Sequence, residues 1–129
     1  MSVIQKNFEI EKLCSSILAV NKNIQSVTII NKNGRPVENM VRKSVDALIP
    51  DKENEMLLMS CALAISMGRD FDEYFGHIGY TFVARENLSM FSFPLDEYVI
   101  LVTSKANISP IHIARKIMTA MNERQYVLE

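Results

Sequence analysis

From Phe8 onward, Ile10, Leu13, Cys14, Ile17 and Leu18 recur at three- and four-residue spacing, with Glu9, Glu11, Lys12, Ser15 and Ser16 between them. That period predicts an amphipathic helix with one buried stripe. Asn7 is placed to cap it, and Asn21-Lys22-Asn23 to end it. The pattern then changes. Val27-Thr28-Ile29-Ile30 is a β-branched run that favours a strand over residues 24–31. Asn31-Lys32-Asn33-Gly34 follows as a hairpin turn, with Gly34 supplying a positive φ. The return strand, 35–41, contains Pro36, which cannot donate a ladder bond and so marks a sheet edge. A short connection over 42–50 ends at Pro50.

Residues 51–68 break both patterns. After Asp51-Lys52-Glu53-Asn54-Glu55 come twelve residues without a charge, Met56 to Met67. Asp51 is the natural N-cap, Glu53 and Glu55 favour the positive end of the helix dipole, and Gly68 suits a left-handed C-terminal stop. Twelve helical residues span about 18 Å, too short for a bilayer, which needs roughly 20 residues. A helix apolar on nearly every side calls for cover on nearly every side.

Beyond a polar connector over 69–75, Ile78, Tyr80, Phe82 and Ala84 alternate with Gly79, Thr81, Val83 and Arg85, a strand over 76–85 with one bulkier face. Glu86-Asn87 makes a two-residue turn into a strand at 88–93. Residues 94–97 turn again into Tyr98–Thr103, whose run Tyr98-Val99-Ile100-Leu101-Val102 does not alternate. Such a strand is covered on both faces and lies centrally. Ser109 then caps a last helix with Pro110 at its first position, striped by Ile111, Ala114, Ile117, Met118 and Met121. Residues 1–7 and 123–129 read as loose ends of a single domain.

The order is helix, two strands, helix, three strands, helix. This α+β arrangement predicts one five-stranded antiparallel sheet with helices on both faces. The first and last helices share a face, and the middle helix covers the other. Its outer side keeps large apolar groups, and exposing four of them would forgo on the order of 6–12 kcal/mol. That predicts a twofold homodimer with Met56, Met59, Leu63 and Met67 at its interface.

Composition sharpens this reading without redirecting it. The 129 residues suit one domain, and 48% hydrophobic with 22% charged residues is ordinary for a globular chain. Fourteen basic against fifteen acidic residues leave a net charge of −1, no basis for nucleic acid or an anionic membrane as partner. The charged N-terminus lacks the apolar core of a secretory signal, and Cys14 and Cys61 sit among apolar residues as free thiols do. A cytoplasmic protein is expected.

Candidate chemistry is sparse. His77 and His112 lack the companion ligands of a zinc site and read as a strand-end and a helix-surface histidine. Asp70, Asp72 and Glu73 lack the glycine and terminal glutamate of a calcium loop. Gly34, Gly68, Gly76 and Gly79 are scattered singly, forming no phosphate loop, and no nucleophile elbow is present. No cofactor, metal or catalytic residue is expected. Lys32, Arg35, Arg42 and Lys43 make the first hairpin basic, more simply read as a solvated edge than as an RNA site. Met40, Met56, Met59, Met67, Met90, Met118 and Met121 suit a partner groove, but more simply core and dimer packing.

Three stretches carry a resemblance to a known family. Thr28-Ile29-Ile30-Asn31-Lys32-Asn33-Gly34-Arg35-Pro36-Val37 resembles the first hairpin of the roadblock/dynein light chain family. Leu88–Thr103 resembles its last ribbon, and Ala106-Asn107-Ile108 its link into the final helix, where Ser109-Pro110 replaces a common glycine. The chain looks most like a small archaeal family of this shape, over residues 8–122. The resemblance implies a profilin-like, longin-related sandwich that homodimerises through the middle helix and third strand, which adds Tyr80 and Phe82 to the expected interface. It further implies an adaptor or regulator acting on a small GTPase or motor complex. The competing expectation is a small-molecule sensor of PAS or GAF type, with Gly79, Ala84, Tyr80, Phe82, Phe91 and Phe93 lining a cavity.

Overall fold

The computed structural model describes residues 3–42 and 49–128, with side chains over 9–42 and 49–123. Most of the connection expected at 42–50 lies outside the described residues. Along the chain run α1 (Val3–Leu18), β1 (Ile24–Ile30), β2 (Pro36–Val41), α2 (Asp51–Gly68), a 3-10 turn (Arg69–Phe71), α3 (Asp72–Phe75), β3 (Thr81–Ala84), β4 (Ser89–Leu95), β5 (Tyr98–Ser104) and α4 (Pro110–Leu128). The strands form one antiparallel sheet in the order β2-β1-β5-β4-β3. The unbroken apolar run of β5 therefore lies at the centre, and the proline-bearing β2 at an edge.

The two faces of the sheet bury different sets. Ile100 and Val102 of β5 join Val27, Ile29, Phe91 and Phe93 beneath α1 and α4. Val99 and Leu101, one residue out of phase, join Ile30, Met90, Leu58 and Ile65 beneath α2. A strand with apolar residues at every position thus serves two cores at once.

Several local expectations shift. Asn7 lies inside α1 and cannot cap it, since the helix begins at Val3. Pro50 takes the N-cap of α2, leaving Asp51 as the first helical residue. Gly68 keeps a right-handed helical φ of −63°. A Cβ there would stand 2.6 Å from Ile78 Cδ1, so a larger residue would have to displace the tip of that side chain. The left-handed stop comes at Gly76, φ 84°, whose N–H donates to the Asp72 carbonyl at 2.8 Å. β3 is shorter than its alternating pattern, pairing with β4 only over 81–84. Pro94 and Leu95 stay in β4, and the turn narrows to Asp96 and Glu97. Ile111 is 58% exposed, and Ile113 takes the buried place beside Ala114, Ile117, Ala120 and Met121. At 3.6 residues per turn Ile111 falls about 120° from that stripe's centre. α1 and α4 also run through stretches read from sequence as loose ends.

Candidate docking surface on the central helix

α2 is divided lengthwise. Leu58 and Ile65 are buried on the sheet, with Leu57, Cys61 and Ala62 half-buried beside them. At 100° per residue the opposite side carries Met56, Met59, Leu63 and Met67. These are 64%, 49%, 60% and 60% exposed in the single chain. One neighbouring layer has covered one side, as geometry demands, and an apolar stripe faces outward.

The first hairpin braces this helix. Asn31 accepts at its side-chain oxygen from the backbone N–H groups of Asn33 and Arg35, at 2.9 and 3.0 Å. Gly34 adopts φ 78°, and its backbone rests against Met59. Arg35 reaches Glu55 at 4.0 Å, a solvent-exposed pair of small energetic weight. Arg42 turns inward: its Nε donates to the Ile24 carbonyl at 2.8 Å, and one Nη donates to those of Leu18 and Asn21 at 2.7 and 3.2 Å. The guanidinium thus satisfies carbonyls at the end of α1. Lys43 lies outside the described residues. Among the described basic residues of this hairpin, Lys32 and Arg35 are exposed at the turn while Arg42 is engaged by carbonyls, which favours the plainer structural reading.

The six residues expected at a dimer interface separate into two groups. Met56, Met59, Leu63 and Met67 share the outer side of α2. Tyr80 and Phe82 lie on the other face of the sheet, packed half-buried on the core under α1 and α4. Pairing decides this, because Phe82 stands opposite Phe91 and Val83 opposite Met90, and directly paired residues share a face. Thr81 and Val83, the latter 45% exposed, are the β3 residues on the α2 side. Alternation in the sequence separates Phe82 from Val83 but does not say which faces which helix. β3 ends the sheet with its outer edge unpaired among the described strands.

The rings proposed for a ligand cavity pack on one another. Phe82 and Phe91 centroids lie 4.8 Å apart, Tyr80 and Phe93 5.7 Å apart, and Phe91 and Phe93 are fully buried. Of the residues expected around that cavity, only Gly79 lines a hollow among the described residues, a cleft of about 220 Å³ that it shares with Met118, while a shallow groove of about 390 Å³ runs between α1 and α4.

Titratable chemistry is confined. His77 Nδ1 lies 2.9 Å from Asp72 Oδ2, and His112 is exposed on α4. Among the described residues no cluster of three His, Cys, Asp or Glu side chains could hold a metal ion. Cys14 and Cys61 are free thiols on opposite faces of the sheet. Burial, with smaller contributions from Glu38 and Glu11, pushes the Cys14 thiol up to about 12. Burial also raises Cys61, against hydrogen bonds from Ser92 and Ser60 that lower it. No helix among the described residues is long and apolar enough to cross a membrane.

No family model matches the chain, and no curated protein sequence does. Solved structures do. A roadblock/LC7 domain from Streptomyces avermitilis superposes with a TM-score of 0.68 at 11% identity, over 92% of this chain and 97% of that one. An MglB in a tetrameric arrangement gives 0.73 at 10% identity, over 99% and 93%. Profilin II of Acanthamoeba castellanii gives 0.57 at 9% identity, over 89% and 95%. The chain has the roadblock, profilin-like fold.

Proposed function

We propose that this chain is a non-enzymatic, homodimeric adaptor or regulatory scaffold of the cytoplasm that acts on a small GTPase. The observation that carries the reading is the outer stripe of α2. Four large apolar side chains, half to two-thirds exposed, forgo on the order of 3–7 kcal/mol per protomer, a large share of a domain's stability. A second copy related by a twofold axis supplies the same stripe in return.

The free edge of β3 supports the same partner. Antiparallel pairing of two β3 edges would continue the sheet across the axis and cover exposed backbone groups. It would set Val83 near the helices and bring Tyr80 and Phe82 to the seam on the other face. The likeness to roadblock domains and to an MglB in a tetrameric arrangement supports assembly of this kind, and the family resemblance is what suggests the GTPase.

Solution mass at micromolar concentration tests the assembly. A dimer is expected, and a monomer removes the main support. Affinity purification from the native host with mass spectrometry tests the partner, and the absence of any GTPase sinks that part.

A further inference from the structure

The corner where α3 hands over to β3 joins two segments distant in sequence. The Arg69 guanidinium donates to the Asp96 carbonyl at 2.6 Å, tying the 3-10 turn to the β4–β5 turn. Asp70, Glu73, Asp96 and Glu97 stand exposed around it, with Asp72 half-buried. The Arg69 guanidinium keeps its charge while directed at that carbonyl, and the His77 ring lies against Asp72. Five carboxylates thus accompany one guanidinium at this corner.

The same corner is apolar. Phe71, Tyr74 and Phe75 are 56%, 70% and 84% exposed, and the last two rings lie 6.4 Å apart. Asp96, the residue that Arg69 reaches, also lines the cleft of about 220 Å³, together with Ile78, Gly79, Leu95, Met118 and Met121. Gly79 leaves it unfilled, since a Cβ there would only touch Met118 Cε at 3.7 Å.

Rings beside carboxylates suit one kind of guest. A guanidinium or ammonium pairs with carboxylates and lies over aromatic faces, while its aliphatic stem covers apolar wall. The volume is below the roughly 300–1,000 Å³ of small-molecule sites and suits one side chain. Anionic lipid and nucleic acid are repelled by the rim. A second copy placing this corner on itself would oppose like charges.

We propose that this corner docks a basic segment of a partner protein, with one arginine or lysine stem in the cleft beside Gly79 and its head at Asp96 and Glu97. Tyr74 and Phe75 cover the adjoining residue. Ile78 and Gly79 precede the β3 edge that the proposed pairing would use, and Leu95, Asp96, Met118 and Met121 belong to neither that edge nor the α2 stripe.

The test measures fluorescence anisotropy of a short labelled peptide alternating arginine with leucine, against a counterpart with glutamate for arginine. The arginine peptide is expected to bind saturably and more weakly as salt rises, and the glutamate peptide not at all. Asp96→Asn with Glu97→Gln should weaken binding about fivefold. Gly79→Val should plug the cleft and weaken binding with an unchanged melting temperature. Leu63→Glu, on the α2 stripe, should leave binding as it is. Equal affinity for the two peptides, or an affinity unmoved by both corner variants, overturns the proposal. So does binding seen only after Leu63→Glu, which would make the corner a contact between copies.

Discussion

Gly34 and Met59 approach so closely that a Cβ on the glycine would stand 2.8 Å from Met59 Cγ and 3.0 Å from its Cα. The hairpin turn and the central helix are locked at this point, since Gly34 also holds φ 78°. Gly34→Ala meets both a disfavoured backbone and a helix that cannot retreat. It should lower stability by about 1–3 kcal/mol, read as an earlier denaturant midpoint. An unchanged midpoint would show the hairpin free to lift.

Arg42 ties three carbonyls together across α1, the following turn and β1. Arg42→Ala should cost about 2–3 kcal/mol. Arg42→Lys should recover only part of that, because an ammonium cannot span the same fork. Full recovery in chemical denaturation would reduce the role to charge alone.

The Cys14 thiol is held up at about 12 against an ordinary 9.0. The unfolded chain therefore loses this proton first as pH rises. The stability it contributes is intact below pH 9 and is lost progressively toward about 12, to the extent of a few kcal/mol. Cys14→Ala should flatten the slope of stability against pH in that window. Equal slopes in both proteins would count against burial as the cause.

Leu63 occupies the middle of the outer stripe and touches none of the buried clusters. Leu63→Glu should leave the melting temperature of the isolated fold within a few degrees while halving the particle mass by light scattering. At an interface centre the cost of a buried, unpaired carboxylate is several kcal/mol. A particle mass that does not change would place the contact elsewhere.

Much of the architecture was legible in the sequence because it rests on local period. The switch from three- and four-residue spacing to β-branched runs located the main elements. The non-alternating residues 98–102 marked the central strand, and Pro36 an edge. Helix ends were less legible. Asn7, Asp51 and Gly68 all had the chemistry of terminal residues, and α2 does run from Asp51 to Gly68, yet α1 begins at Val3, the N-cap of α2 falls on Pro50, and the positive φ comes only at Gly76. Propensity at a terminus is worth about 1 kcal/mol, too little to fix which residue of several with capping chemistry takes the cap.

The candidate surface was half legible. Uncharged residues all round one helix announced that something must cover its outside, and Met56, Met59, Leu63 and Met67 were found on that side. Placing Tyr80 and Phe82 with them was beyond local pattern, because the register of β3 against β4 decides which face a strand residue joins. The acidic corner was legible only in part, since Asp70, Asp72 and Glu73 read as a solvated connector until Arg69 bound the turn at Asp96. By itself the sequence determined the elements, their order and the surplus of apolar surface, all set by neighbours a few residues apart. Tertiary structure alone decided which face each strand residue joins and which distant groups meet, because those depend on pairing and packing across the whole chain.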